Sequence, residues 1–289
     1  MNTGTLLPTL PAALLAVVTA LTAVHAAPAE ARAGATDPAA VRPDTLEHAR
    51  ASFAGDVGLG LRLVGRGLTA PLEWSAREWL VIPAAAGVLA VVTTVDDDVE
   101  HFAETHQGPV GDGWFGTLEP FGEQYSIALV VGVYGAGWLL DRPVWRRTAV
   151  EATASSVVAA GIVTPTLKLV FGRARPRKEL GPYEFDPFSG DYSFPSGHTT
   201  QAFAVASVIA AESDALVVDL LAYGVAVSVG AARIYHDAHF LSDVLAGAAI
   251  GTVVGRGMVR GGRELVGSAE PFVGASDGGL QLGVRLPVR

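Results

Sequence analysis

Three short blocks of side chains in this sequence have the types and spacing of an oxyanion site. They are Lys168-x6-Arg175-Pro176, Pro195-Ser196-Gly197-His198 and Arg233-x5-His239-x3-Asp243. A phosphoryl group in transfer spreads negative charge over its equatorial oxygens, so its site needs fixed cations around one small volume. Lys168 and Lys178 are the only lysines of the chain. Together with Arg173, Arg175 and Arg177 they gather five cations between residues 168 and 178, in a protein of formal net charge −9. If this segment were one helix, Lys168 and Arg175 would lie two turns apart on one face, about 10 Å in rise. Pro176 then ends the helix or opens a loop.

The second block precedes an apolar run and reads as a helix start. Ser196 has the character of an N-cap, and Gly197 lets backbone approach a ligand closely. Free N–H groups there form an anion cradle, and His198 on the first turn is within reach of a leaving oxygen as general acid. In the third block, His239 and Asp243 are four residues apart and share a helix face. The carboxylate can fix the imidazole tautomer and support the cation formed when the other ring nitrogen attacks phosphorus. Arg233 would fall on another face of a continuous helix. A break is therefore expected across Tyr235-His236-Asp237, with Asp237 capping the last helix. Read singly, each block has a bland alternative: a basic cluster at a membrane edge, an ordinary capped helix, a surface His–Asp pair.

In order and spacing the set resembles the signature of the type-2 phosphatidic acid phosphatase superfamily, which includes bacterial class A acid phosphatases and vanadium haloperoxidases. The resemblance runs from Lys168 to Gly255. It departs at Ala232, where the family usually has serine before the arginine. It implies His239 as nucleophile through a phosphohistidine, Asp243 as its orienting partner, and His198 as the acid that later activates water. Lys168, Arg175, Ser196, Gly197 through its N–H, and Arg233 would bind phosphate oxygens. Position 232 carries none of these roles. No cofactor and no metal are implied, and Asp96-Asp97-Asp98 reads as a solvated cap after an apolar helix. The expected substrate is a phosphate monoester or diphosphate, foremost of a lipid. A soluble periplasmic acid phosphatase, a vanadium-dependent haloperoxidase and a non-catalytic membrane scaffold are the other readings.

The elements that must position these blocks belong to a chain of 289 residues, of which 50% are hydrophobic and 17% charged. Its mean hydropathy is +0.37. The absence of cysteine excludes disulfides and thiol catalysis, and the acidic balance speaks against a nucleic-acid partner. Residues 1–26 have the pattern of a signal peptide or signal-anchor, with Ala26 as a cleavage point. Residues 27–78 form a linker followed from 51 by an amphipathic approach segment, 79–258 the helical core, and 259–289 a tail with a short strand pattern at Leu280–Leu286.

Six stretches, at roughly 79–95, 125–140, 148–167, 198–212, 215–231 and 240–257, are apolar all round. The expected fold is therefore an all-α bundle of about six apolar helices, membrane-embedded, with the site at one end. No Lys or Arg occurs between Arg77 and Arg142, while residues 96–123 hold eight acids. Arg142, Arg146, Arg147, Arg256, Arg260 and Arg263 mark the opposite side. The positive-inside tendency makes that side cytoplasmic and puts the three blocks toward the periplasm of a bacterial inner membrane. A cleaved leader would leave residue 27 outside, whereas six spans require it inside. A retained first helix, a partly embedded 51–78 segment or a bundle that does not span would each remove the conflict.

Overall fold

The computed structural model describes residues 53–267, 270–276 and 279–285. The leader expected at 1–26 and the linker up to residue 50 lie outside the described residues. Helix α1 (Phe53–Thr69) leads through a 3-10 turn (Ala70–Glu73) into α2 (Ala76–Trp79) and α3 (Val81–Thr93). Two short helices follow, α4 (Asp96–Thr105) and α5 (Pro109–Leu118), with a 3-10 turn at Glu119–Gly122. The bundle continues with α6 (Gln124–Leu139), then α7 (Pro143–Ser156), a π segment (Val157–Val163) and α8 (Thr164–Phe171) as one rod. Helices α9 (Gly197–Glu212), α10 (Leu216–Tyr235) and α11 (Leu241–Gly267) complete it. All six expected apolar stretches are thus helical. The acid-rich connection 96–123 is helical as well, which its polar and Gly-rich composition concealed.

Inside the long rod, Pro165 lacks an N–H and its ring crowds the preceding turn, so the wider π spacing just upstream absorbs the mismatch. Helix α9 is the central element and packs against α7, α10 and α11. Its closest partner is α11, across Gly247, Gly251 and Gly255. A Cβ at Gly247 would stand 2.6 Å from the Ser196 carbonyl oxygen, and one at Gly251 2.5 Å from that of Thr200. Gly255 meets Ser207 closer still. The two helix backbones approach as only small residues permit, and this fixes the start of α9 beside the start of α11. The amphipathic approach segment docks through α1. Leu63 is buried with Ala154, Val158 and Met258 between α7 and α11.

Arg147 of α7 and Arg263 of α11 both pair with Glu212 at the end of α9, the latter at 3.1 Å. The arginine-bearing start of α7 and end of α11 therefore meet the acidic end of α9 at one end of the bundle, opposite the three blocks. Ala76–Thr93, Pro143–Phe171 and Leu216–Tyr235 are long and apolar enough to cross a membrane by length and composition. Large apolar side chains such as Val88, Val91, Ile127, Val131 and Leu220 stand exposed on the outside of the bundle. This is a membrane protein. At its C-terminal end the expected strand has a partner: β1 (Glu270–Ser276) pairs antiparallel with β2 (Gly279–Arg285). The tail expected at 259–289 with a short strand pattern is thus a continuation of α11 to Gly267 followed by a two-stranded hairpin.

Candidate active site

The first block does not form one helix. Gly172 takes a left-handed conformation (φ +56°) and ends α8, so Lys168 is helical and Arg175 extended. A Cβ at Gly172 would collide with the Asp186 carbonyl. The backbone then runs beside 184–186, Ala174 N–H donating to Glu184 O at 3.0 Å and Asp186 N–H to Gly172 O at 3.0 Å. Lys168 Nζ donates to the Tyr192 carbonyl and, at 3.5 Å, to that of Ser193. This ties the first block to the approach to the second.

Ser196 is the N-cap residue of α9, yet its hydroxyl caps no backbone N–H; it accepts from Thr199 Oγ1 at 2.9 Å and is fully buried. Its backbone N–H donates to the Asp243 carbonyl at 3.0 Å, locking the second block to the third. Gly197 opens the helix beside the Lys168 stem: a Cβ there would be 3.7 Å from Lys168 Cε. His198, half-buried on the first turn, lies with Nε2 3.6 Å from Glu123 Oε2.

In the third block the expected break is present, since α10 ends at Tyr235 and α11 starts at Leu241. The Arg233 carbonyl accepts the N–H groups of Ala238 (3.1 Å) and His239 (3.2 Å), so the helix end itself aims His239. Asp237 does not cap α11. It sits in the loop with φ +49°, too early to reach the first turn. Two other carboxylates do that work. Asp243 reaches back to the Phe240 N–H at 3.0 Å, and Asp96, from α4, accepts the Ser242 N–H at 2.9 Å.

His239 is 2% exposed, its Nδ1 3.6 Å from Asp243 Oδ2 and 3.5 Å from Ser193 Oγ. These contacts are longer than a formed hydrogen bond, as is common in a catalytic site without substrate. Burial, opposed by Asp243 and reinforced by the charges of Lys168 and Arg233, lowers its pKa to about 4. The ring is neutral at pH 7. Asp243 is fully buried and saturated: Ser193 Oγ donates to Oδ2 at 2.6 Å and Arg173 Nη1 to Oδ1 at 2.6 Å.

Arg173 belongs by sequence to the cations of the first block, but the structure turns it inward, 1% exposed. It donates to Asp96 Oδ2 (2.8 Å), Ser242 Oγ (2.7 Å) and the Pro182 carbonyl (2.6 and 2.9 Å), between the rings of Phe240 and Phe185. Asp96 is not part of a solvated cap: it is fully buried, while Asp97 and Asp98 are exposed. The chain Asp96–Arg173–Asp243–His239 is what sequence reasoning misses. Its one signal is an arginine two places before Arg175, and nothing local marks Asp96.

Two cations remain turned toward the site. Among the described residues the Arg175 side chain makes no hydrogen bond or ion pair, and burial beside Arg177 makes its charge costly, lowering its pKa. Arg233 pairs with Glu119, which also holds His236 Nδ1 at 2.7 Å, while Arg233 Nε is buried without a partner. Both guanidinium groups would be relieved by a bound oxyanion. Lys178 instead pairs with Asp191 at the rim. Every expected site residue thus belongs to one connected end of the bundle.

Residues 150–265 match the profile of the PAP2 superfamily. This chain is similar to that superfamily across 116 of its 289 residues. Its relatives include the lipid A 1-phosphatase of Porphyromonas gingivalis, 29% identical over 64% of this chain and 38% of that protein. The lipid A 1-phosphatase of Rhizobium etli is 38% identical over 34% of this chain and 43% of that protein. The chain thus spans about two fifths of the length of the relatives it matches. Among solved structures, Aquifex aeolicus LpxE aligns with a TM-score of 0.47 at 23% identity, over 57% of this chain and 95% of that one. A transmembrane PAP2-type phosphatidylglycerolphosphate phosphatase from Bacillus subtilis aligns with a TM-score of 0.48 at 22% identity, over 73% and 96%. The PAP2 segment contains all three blocks; Asp96, Glu119 and Glu123 lie before it.

Proposed function

We propose that this chain is a PAP2-type phosphatase, a metal-independent phosphoric monoester hydrolase acting on the phosphate or diphosphate of a membrane lipid. The observation that carries the reading is the convergence of the three blocks: Lys168 on the Tyr192 and Ser193 carbonyls, Ser193 on Asp243, and the Ser196 N–H on the Asp243 carbonyl. Asp243 faces His239 Nδ1, which leaves Nε2 as the attacking lone pair. Nε2 attacks phosphorus, the bond to the leaving oxygen breaks, and His198 supplies that oxygen with a proton. His198 then takes a proton from water, whose oxygen displaces the phosphohistidine and releases phosphate. Lys168, Arg175, Arg233, Ser196 and the Gly197 N–H hold the equatorial oxygens.

The relatives named as lipid A 1-phosphatases and the apolar exterior favour a phosphorylated glycolipid or phospholipid as substrate. The arginine-rich opposite end supports a site facing away from the cytoplasm. The test is phosphate release from a panel of lipid and soluble phosphates, in mixed micelles, by the parent and by His239→Ala. Lipid phosphates are expected to turn over fastest, and the alanine variant to fold but lose at least about a thousandfold in rate, the order expected for loss of a nucleophile. Near-normal turnover by His239→Ala removes the nucleophile assignment, and a preference for soluble esters removes the lipid.

A further inference from the structure

At the end of the bundle opposite the PAP2 site, a cavity of about 550 Å³ opens between α10 and α11. Arg256 and Asp243 are thirteen residues apart on α11, so the two sites are separated by about 20 Å of helix. Arg256, Arg260 and Arg263 recur at intervals of four and three and line one wall; Asp219 and Tyr223 of α10 line the other. Two polar atoms in that wall, Asp219 Oδ1 and Tyr223 Oη, are buried without a hydrogen-bond partner. Such atoms are uncommon in folded proteins and point to a missing ligand or solvent group.

Charge decides what kind of ligand. Arg263 is held by Glu212, and the lining residue Glu264 is held by Arg66. Among the described residues Arg256 and Arg260 make no hydrogen bond or ion pair. Glu78, which feels the charge of Arg260, lies outside the cavity lining and already accepts from the Ser75 N–H. Within the lining two guanidinium groups therefore face the single free carboxylate of Asp219 and leave one net positive charge. A ligand with one negative charge matches it, provided it also offers a donor for Asp219 Oδ1 and an acceptor for Tyr223 Oη. Position decides its source. The cavity sits where the candidate span Leu216–Tyr235 begins, and Leu216, Val217, Leu220 and Val253 stand exposed beside it with no protein cover. Those side chains suit acyl chains.

We propose that this cavity binds the headgroup of an anionic glycerophospholipid that carries a hydroxyl group. Its phosphodiester lies between Arg256 and Arg260 and accepts from Tyr223, and its headgroup hydroxyl donates to Asp219. The proposal rests on membrane embedding and not on the phosphatase reading, because hydrolysis is measured separately.

The experiment is thermal unfolding of the full chain in detergent, titrated with phosphatidylglycerol, phosphatidylcholine or inorganic phosphate. Phosphatidylglycerol is expected to raise Tm by several degrees through mass action, while phosphatidylcholine, which lacks the hydroxyl and the net charge, and phosphate alone do not. The double variant Arg256→Gln/Arg260→Gln is expected to lose that response and keep the parent rate of lipid-phosphate hydrolysis. Should it fail to fold, Tyr223→Phe and Asp219→Asn, scored by the count of bound phosphatidylglycerol in native mass spectrometry, decide between the same two outcomes. An equal Tm rise with phosphatidylcholine, an equal rise with inorganic phosphate, or binding undiminished in the variants would overturn the proposal.

Discussion

Replacing Arg173 by Met tests whether the buried ion chain organises the site. Arg173 neutralises two fully buried carboxylates, Asp96 and Asp243, and donates further hydrogen bonds to Ser242 Oγ and, from two nitrogens, to the Pro182 carbonyl. Methionine fills similar volume but leaves both carboxylates without a counter-charge. Breaking a buried pair in this way costs about 3–5 kcal/mol, a large part of the roughly 5–15 kcal/mol that holds a domain folded. At about 2–4 °C per kcal/mol the melting temperature falls by around 10 °C. The electrostatics predict more than loss of stability. Two like charges cannot share a dry site, so one carboxylate keeps its proton at neutral pH, and a protonated Asp243 no longer supports an imidazolium at His239. The turnover number should therefore fall by at least about tenfold with KM nearly unchanged. Arg173→Lys retains the charge but cannot fork to Asp96, Asp243 and Pro182 at once, so it recovers stability better than rate. Pairing Arg173→Met with Asp96→Asn should show coupling of about 1–3 kcal/mol, since the second change removes one of the stranded charges. A methionine variant within about 1 kcal/mol of the parent and with unchanged turnover would refute the reasoning.

Two further outcomes follow from the geometry. Because burial holds His239 near a pKa of about 4, below the roughly 6.5 of a free imidazole, it stays neutral as pH falls to 5. The acid limb of kcat/KM is then expected near 4 once substrate ionisation around pH 6 is separated by titrating the ester; a limb at 6.5 that follows the enzyme contradicts it. The same shift has a stability counterpart: the neutral buried ring contributes fully above about 6.5, and that contribution is lost as pH drops toward 4. Glu119 holds Arg233 in the free site, so Glu119→Gln should release it for substrate. KM and the inhibition constant for phosphate would drop by about fivefold, the equivalent of about 1 kcal/mol, with turnover within about twofold. A rise in KM would show instead that Glu119 positions Arg233.

The helices are legible in the sequence because they depend on local pattern, and the three blocks that carry the eight proposed site residues can be picked out by their spacing alone. All-round apolar runs mark buried or lipid-facing helices, and the second block's spacing places His198 on the first turn of α9. His239, expected on one helix face with Asp243, instead lies in the loop just before α11. The break before α11 is also readable, from the incompatible faces of Arg233 and His239. What the sequence hides is long-range. Asp96 stands 77 residues before Arg173 and 146 before Ser242. Nothing in its triplet distinguishes the buried acid from the exposed Asp97 and Asp98, since only the packing of α4 against α11 does so. Asp237 misleads for the same reason. A sequence-local cap is the economical choice, but the orphan N–H groups of α11 are satisfied by Asp243 from within and Asp96 from across the fold.

That division explains why the glycines of α11 matter to chemistry and not only to packing. In the sequence, Gly247, Gly251 and Gly255 admit two readings, compositional bias or close helix contact. In the fold Gly247 abuts the carbonyl of Ser196, whose N–H in turn donates to the Asp243 carbonyl. The separation of α9 and α11 therefore sets the separation of Ser196 and Gly197, the proposed cradle, from Asp243, the proposed partner of His239. A larger residue there would move both at once, where a change at the arginine-rich end, some 20 Å along the helix, would leave the cradle in place. Rigid backbone contact at one end and exposed cations at the other make the two ends of α11 physically different, so a change at one end is expected to leave the other in place.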